Sequence, residues 1–383
     1  MDCAFAISLV LAAHFFADSF PFEIVRRIMS FGWVGVDLFF VISGFLIGGI
    51  LFDQRGATNY YSVFYTRRFF RIIPLYLLLI TPAFLVVGLG LQGHLSGHSL
   101  GGQNAWMLLL YLCFMQNLSG LFIHANPGYL GPTWSLAVEE QFYLLLPPLV
   151  RKFRAQTLLK VLVAAVVVAP LLRGLLFLLF QAHGTKVGTA CYSLLPCRWD
   201  SLSMGVLAAY GWRQPRFQAW LTAWIHLSRT VWLVLAVGMI MMCLSWQGPY
   251  HPIIAVGGYT WIAGFFTATL LLAGFNRHGW MYRLLSLPFL RPIATVSYGL
   301  YLLNEPIIAI KEALFGAVLS AKIGWAATGV NVLALGATGL AAVISWRFFE
   351  SRLIHLGHKI SYHMPPAPQT SSATPAVRVQ KTS

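Results

Sequence analysis

The chain has 383 residues, 58% of them apolar and 10% charged, and a formal net charge of +15; its mean hydropathy is +0.71. A soluble domain carries about 25% charged residues, so the usual division of such a length into two or three soluble domains does not apply. The basic excess would point to nucleic acid in a soluble protein. Here Lys and Arg sit in short loops beside apolar runs, which is the pattern of membrane topology and argues against a nucleic-acid partner.

Apolar runs of about 20 residues recur from end to end, each long enough to cross a hydrocarbon core of ~30 Å. They are continuous rather than alternating, so the expected fold is an all-α polytopic membrane bundle and not a barrel. In chain order the spans are predicted at 3–19, 31–51, 72–91, 134–150, 160–182, 199–212, 230–246, 253–274, 292–314 and 324–346. The first run has no basic leader and no small-residue cleavage site, so it reads as a spanning helix rather than a cleaved signal. An eleventh apolar stretch, 105–123, would put Arg151, Lys152, Arg154 and Lys160 on the wrong side if it crossed. It is therefore expected to be re-entrant, shielded by the rest of the bundle.

With that choice one side receives Arg55, Arg67, Arg68 and Arg71, then 151–160, Arg213, Arg216, Arg229, Arg277, Arg283, Arg291 and the tail. Loops 92–104 and 247–252, on the other side, contain no Lys or Arg; Arg26 and Arg27 are the exceptions. The positive-inside rule then makes both termini cytoplasmic. Residues 1–355 read as one membrane-embedded domain, surrounded by lipid. Residues 356–383, rich in Pro, Ser, Thr and Ala, read as a disordered tail.

Ionisable residues inside apolar spans are costly and default to a functional reading. His14 lies about eleven residues into the first span, roughly 16 Å at 1.5 Å per residue. Asp37 opens the second span, as a helix-end anchor or a catalytic group. Gly44 and Gly48 in the same span read as close helix packing. Arg67, Arg68 and Arg71 stand at the mouth of the third span, as topological anchors or, with Arg68 and Arg71 one turn apart, as a phosphate site. Glu139 and Glu140 are adjacent carboxylates in an apolar span; Ser135 and Glu139 share a face. Arg198 and Asp200 open the sixth span, as an ion pair at the membrane edge or as substrate contacts. Ser297, Tyr301 and Glu305 share a face of the ninth, and Pro306 is expected to break that helix just past Glu305. Cys3, Cys113 and Cys243 read as packing residues, Cys191 and Cys197 as a small disulfide loop or two free thiols. No Cys/His spacing points to a metal.

Several of these segments together resemble the acyltransferase-3 family of membrane O-acyltransferases. The matching pieces are 9–15 with His14, GWVGVDLFFVISGFLI at 32–47, FYTRRFFRIIPLY at 64–76, TWSLAVEEQFYLLLP at 133–147, RWDSLSMGVL at 198–207, SYGLYLLNEP at 297–306 and WRFFESR at 346–352. The resemblance implies a ten-helix fold that takes an acyl group, acetyl above all, from cytoplasmic acyl-CoA. The acceptor would be a hydroxyl of a carbohydrate, a lipid-linked glycan or another small molecule, in a bacterial inner membrane. The family's histidine falls on His14, its RxxR pair on Arg68 and Arg71, and its carboxylate after WSL on Glu139.

Three departures stand out. Cys3 occupies the place of an arginine eleven residues before the histidine, so either the start is truncated or another cation substitutes. Asn304 stands where the family often has histidine. Some members carry a C-terminal hydrolase-like domain, for which these residues leave no room.

The expected mechanism is direct transfer, with His14 as general base on the acceptor hydroxyl. Glu139 orients it or binds acceptor, Asp37 belongs to the catalytic set, and Arg67, Arg68 and Arg71 hold CoA phosphates. Glu140, Arg198, Asp200, Ser297, Tyr301 and Glu305 are expected to contact substrate. An acyl-histidine intermediate remains an open variant. The rival reading is a secondary transporter with His14, Asp37 and Glu305 as a proton relay.

Overall fold

The computed structural model describes residues 3–88, 104–119, 128–180, 184–245, 247–316 and 323–364. In chain order the helices are α1 (Cys3–Phe16), α2 (Glu23–Ser30), α3 (Gly35–Asp53), α4 (Tyr60–Gly88), α5 (Asn104–Leu112), α6 (Thr133–Lys152), α7 (Ala155–Leu179), α8 (Gly184–Ser193), α9 (Leu195–Trp212), α10 (Pro215–Ala223), α11 (Ile225–Leu244), α12 (Tyr259–Phe275), α13 (Trp280–Leu285), α14 (Leu290–Thr295), α15 (Ser297–Phe315), α16 (Trp325–Ser345) and α17 (Ser351–His358). The described residues hold no strand, and the protein is an all-α membrane bundle. Each of the ten predicted spans has its helix: α1, α3, α4, α6, α7, α9, α11, α12, α15 and α16.

Among the described residues, five segments are long and apolar enough to cross a membrane by composition alone, among them α7, α11 and α16 with its extension. α11 and α7 are 6% and 17% buried over their apolar windows. An apolar exterior of this extent marks a surface that faces lipid.

Three boundaries differ from expectation. The third span begins at Tyr60, not at 72, because Arg67, Arg68 and Arg71 interrupt the apolar run without interrupting the helix. α15 runs unbroken through Pro306. The discontinuity lies upstream, at Val296, between α14 and α15. A membrane helix tolerates a proline when neighbouring helices re-satisfy the freed backbone. Finally, α17 and the residues after it occupy part of the expected disordered tail. Thr58 N–H donates to His363 O at 2.9 Å, Asn59 Nδ2 to Ser361 O at 2.9 Å and His363 N–H to Asn59 Oδ1 at 2.9 Å. These bonds hold 361–363 against the α3–α4 connection; the rest of the tail, 365–383, lies outside the described residues, as do 92–103 of the loop expected to be external.

Contacts at one end of the bundle bear on the expected re-entrant stretch, 105–123, of which 105–119 are described. Arg55 donates to Phe153 O at 2.6 Å, and Arg151 donates to Arg55 O and, at 2.8 Å, to Ala57 O. The connection after α3 and the end of α6 thus meet. α4 leaves that end and α6 returns to it, so the start of α4 and the end of α6 lie at the same end of the bundle. α5 has 9 residues, about 13 Å at 1.5 Å per residue. It stops at Leu112, two residues before Phe114, whose φ is +54°, and a single 3₁₀ turn, Gln116–Leu118, follows. Residues 120–127 lie outside the described part of this stretch.

α3 is the centre of the bundle, and it packs on α9 without intervening side chains. A Cβ on Gly44 would stand 2.1 Å from Leu202 O, and one on Gly205 would stand 2.2 Å from Val41 O. Only glycine permits so close an approach. Cys191 and Cys197 are buried free thiols on α8 and α9, hydrogen-bonded side chain to side chain.

Candidate active site

Burial sorts the ionisable residues into two sets. The first is a ladder of charges with no exposure at all. Arg198 donates to Asp37 Oδ1 at 2.7 Å, and Ser201 Oγ donates to the same oxygen at 3.0 Å. Arg173 donates to Asp200 Oδ2 at 2.9 Å, and Thr260 Oγ1 to the same oxygen at 2.6 Å. All four charged side chains are 0% exposed. Arg198 and Asp200 are therefore not paired with each other at a membrane edge; each answers a charge on another helix. Arg198 also lies 4.2 Å from the ring centroid of Tyr259, a cation–π contact. The ladder ties α3, α7, α9 and α12 together. Arg173 was missed in the sequence reading, although a lone arginine in a 25-residue apolar helix meets the criterion that singled out His14.

The second set faces cavities. His14 Nδ1 lies 2.7 Å from Asn304 Oδ1 and 3.2 Å from Glu305 Oε1. Asn304 Nδ2 donates to the carbonyls of Leu300, at 3.2 Å, and Tyr301, so its amide cannot be flipped and its oxygen faces the imidazole. Both neighbours of Nδ1 are acceptors, so Nδ1 carries the proton, and in the neutral ring the lone pair is on Nε2. The carboxylate at His14 is thus Glu305. Glu139 instead accepts from Ser43 Oγ at 2.7 Å.

Two cavities meet near these groups. The inner one, about 120 Å³, is lined by Arg68, Arg71, Ser43, Glu139, Ser297 and Tyr301. The outer one, about 360 Å³, is lined by His14, Gln116, Trp134, Tyr192, Tyr250 and Tyr301 among others. Val36 and Tyr301 belong to both walls. The Tyr301 hydroxyl donates to Pro132 O at 2.9 Å, which fixes the ring at the junction. A third space, about 450 Å³, adjoins the inner cavity through Arg71, Ser297 and Tyr298 and adds Arg291.

The three arginines separate. Arg68 and Arg71 line the inner cavity, and the Arg68 guanidinium stacks 5.3 Å from the Tyr143 ring centroid. Arg67 turns outward, donating to Ile360 O at 2.8 Å and stacking on Tyr362. Glu140 has a buried Oε1 without a hydrogen-bond partner and lines neither cavity. The structure brings together His14, Asn304 and Glu305 in one group and Arg68, Arg71 and Glu139 in another, with Ser297 on the wall of the inner cavity and Tyr301 on the wall that both cavities share. Asp37, Arg198 and Asp200 stand apart in the ladder. Chemically, an imidazole with a free Nε2 and a charged partner at Nδ1 can take and return a proton, while an arginine pair one turn apart can hold an anion.

A family model described as an acyltransferase domain matches residues 4–349. Over 335 residues the chain is 27% identical to the peptidoglycan O-acetyltransferase OatA of Listeria monocytogenes, covering 84% of this chain and 51% of that protein. Over 346 residues it is 27% identical to the O-acetyltransferase OatA of Staphylococcus aureus, covering 88% of this chain and 55% of that protein. The chain spans about half the length of these curated relatives. No solved structure matches it.

The charge ladder generates a stability prediction. Removing one partner of a fully buried pair strands the other, at a cost of about 3–5 kcal/mol, whereas removing both is far milder. Asp37→Leu and Arg198→Met should each lower the unfolding temperature in detergent strongly, and the double variant should recover much of the loss. Strictly additive losses would show that the two residues act independently.

Proposed function

The chain belongs to the acyltransferase-3 family, and from that premise we propose that it moves an acetyl group from cytoplasmic acetyl-CoA to a hydroxyl of a glycan on the outer side of a bacterial cytoplasmic membrane. The observation that carries the proposal is the junction. A basic inner cavity and a neutral outer cavity share Val36 and Tyr301, with His14 on the outer wall. A thioester from one side and a hydroxyl from the other would meet there, and neither substrate would have to cross completely.

Arg68 and Arg71 would receive CoA phosphates, with Arg291 in the adjoining space; Arg67 is committed to the segment after α17. The acceptor hydroxyl enters the outer cavity and gives its proton to His14 Nε2 as its oxygen attacks the thioester carbonyl. The tetrahedral intermediate collapses with cleavage of the carbon–sulfur bond. The leaving thiolate takes the proton back from His14, so the products are the ester and free CoA. Glu305 stabilises the transient imidazolium and, with Asn304, holds the ring in the required tautomer. Glu139, held by Ser43, lines the path of the acyl group, as do Ser297 and Tyr301. Asp37, Arg198 and Asp200 support the walls from the ladder rather than touching substrate. The acetyl group and a glycan acceptor are supported by the names of the relatives, OatA among them.

A proton-relay transporter would need His14, Asp37 and Glu305 in series. Asp37 is instead closed off by Arg198 and Ser201, and the family match favours transfer.

His14→Ala should keep membrane insertion and lose roughly 10²–10⁴-fold in transfer rate by purified protein; near-normal activity would remove the base. Arg68→Lys and Arg71→Lys keep charge but lose the planar fork. Loss of one charge-assisted hydrogen bond, ~1.5 kcal/mol or more, should raise KM for acetyl-CoA about tenfold. Unchanged KM in both would make these arginines topological anchors only.

A further inference from the structure

The outer cavity contains a side chain that the mechanism does not use. Gln116 is 4% exposed. Its amide nitrogen donates to Thr133 O at 2.9 Å, in the first turn of α6. Its Oε1 is buried and has no hydrogen-bond partner, and the residue lines the outer cavity with His14. A purely structural role would need the amide nitrogen alone. A buried acceptor left unpaired is costly, and native proteins rarely keep one without a ligand or a water for it.

The surroundings specify what kind of ligand. The described residues lining the cavity include no Lys, Arg, Asp or Glu. The walls offer hydroxyls, amides and aromatic rings. Trp134 and Tyr192 lie 4.5 Å apart between ring centroids, and Tyr250 packs edge-on to Tyr192 at 5.4 Å. Arg198 stacks 5.4 Å from the Tyr192 ring on the ladder side, so the ladder holds this wall in place. A lining without ions selects against phosphates and carboxylates. Flat aromatic surface with a few fixed polar groups suits a ring that has both an apolar C–H face and hydroxyl or amide edges. The re-entrant stretch acquires a purpose as well. Irregular backbone at membrane depth is tolerated where it lines a cavity, and the turn at 114–118 delivers Gln116 to this one.

We propose that the outer cavity is the subsite for a neutral sugar ring of the acceptor, with Gln116 Oε1 accepting a hydrogen bond from an O–H or N–H group of that ring and Trp134 and Tyr250 packing against its C–H face. This inference rests on the reading of the chain as a glycan acetyltransferase and names where that glycan binds. Gln116 binds and orients; it takes no part in proton transfer.

The test uses the full chain in detergent, acetyl-CoA as donor, and a soluble, uncharged disaccharide of N-acetylglucosamine with its monodeoxy analogues, including the one lacking the N-acetyl group, as acceptors. Gln116→Met keeps length and removes the oxygen. It should raise the acceptor KM about tenfold or more, the weight of one hydrogen bond to a buried group, and leave the acetyl-CoA KM within about twofold. Tyr250→Ala, at a residue 48% exposed and so tolerant of change, should raise the acceptor KM in the same selective way. One analogue, lacking the donor that Gln116 reads, should bind the wild type about tenfold more weakly and lose nothing further in Gln116→Met. That comparison on the wild type holds even if a variant folds poorly. Acceptor KM unchanged in both variants, with the wild type acetylating the disaccharide normally, overturns this subsite and leaves the proposed function standing. A wild type that acetylates no glycan overturns both.

Discussion

Inside an apolar bundle an ionisable side chain finds its partner in the protein or not at all, and this constraint arranges the helices described above. The ladder of Asp37, Arg198, Asp200 and Arg173 shows its cost. Four charges with no exposure each find an opposite charge because α3, α7, α9 and α12 converge on them, although Asp37 Oδ2 and Arg198 Nε and Nη1 have no hydrogen-bond partner. The glycine contact between Gly44 and Leu202 lets α3 and α9 come close enough for Arg198 to reach Asp37. Packing and electrostatics are therefore one feature here. The backbones approach because the glycines permit it, and the charges are tolerated because the backbones approach.

The same constraint separates framework from chemistry. The ladder residues have spent their charges on one another. His14, Arg68, Arg71 and Glu139 line cavities, where a substrate can still alter their partners. At His14 the two acceptors around Nδ1 leave a defined tautomer, which a lone intramembrane histidine would not have. Asn304 achieves this because its own nitrogen is held by the carbonyls of Leu300 and Tyr301. A histidine at that position could serve too; asparagine does it without adding a titrating group.

Much of the fold was legible because its signal is local. Ten apolar runs give ten helices, and the charges of 151–160 assign the parity that the contacts of Arg55 and Arg151 bear out. The boundaries were less legible, since composition cannot say that a helix continues through Arg67–Arg71 or through Pro306. The site was legible by residue type and not by partner. His14 and Glu139 were both singled out, but spacing along one helix says nothing of what faces it from another. Glu305 turned out to be the carboxylate at His14, and Arg198 to answer Asp37. Gln116 was not singled out because a neutral amide in an apolar stretch, unlike a charge, has no sequence signature. What marks it is the unpartnered oxygen, visible only once the cavity exists.

Under the proposed function, donor and acceptor approach the His14 junction from opposite faces of one membrane. Vesicles of defined right-side-out orientation, loaded with labelled acetyl-CoA and bathed in a membrane-impermeant glycan, test it most directly. The account predicts labelled ester on the external glycan with no acetyl-CoA outside, and none when the vesicles are inverted with the same loading. Transfer that requires both substrates on the same face would contradict it.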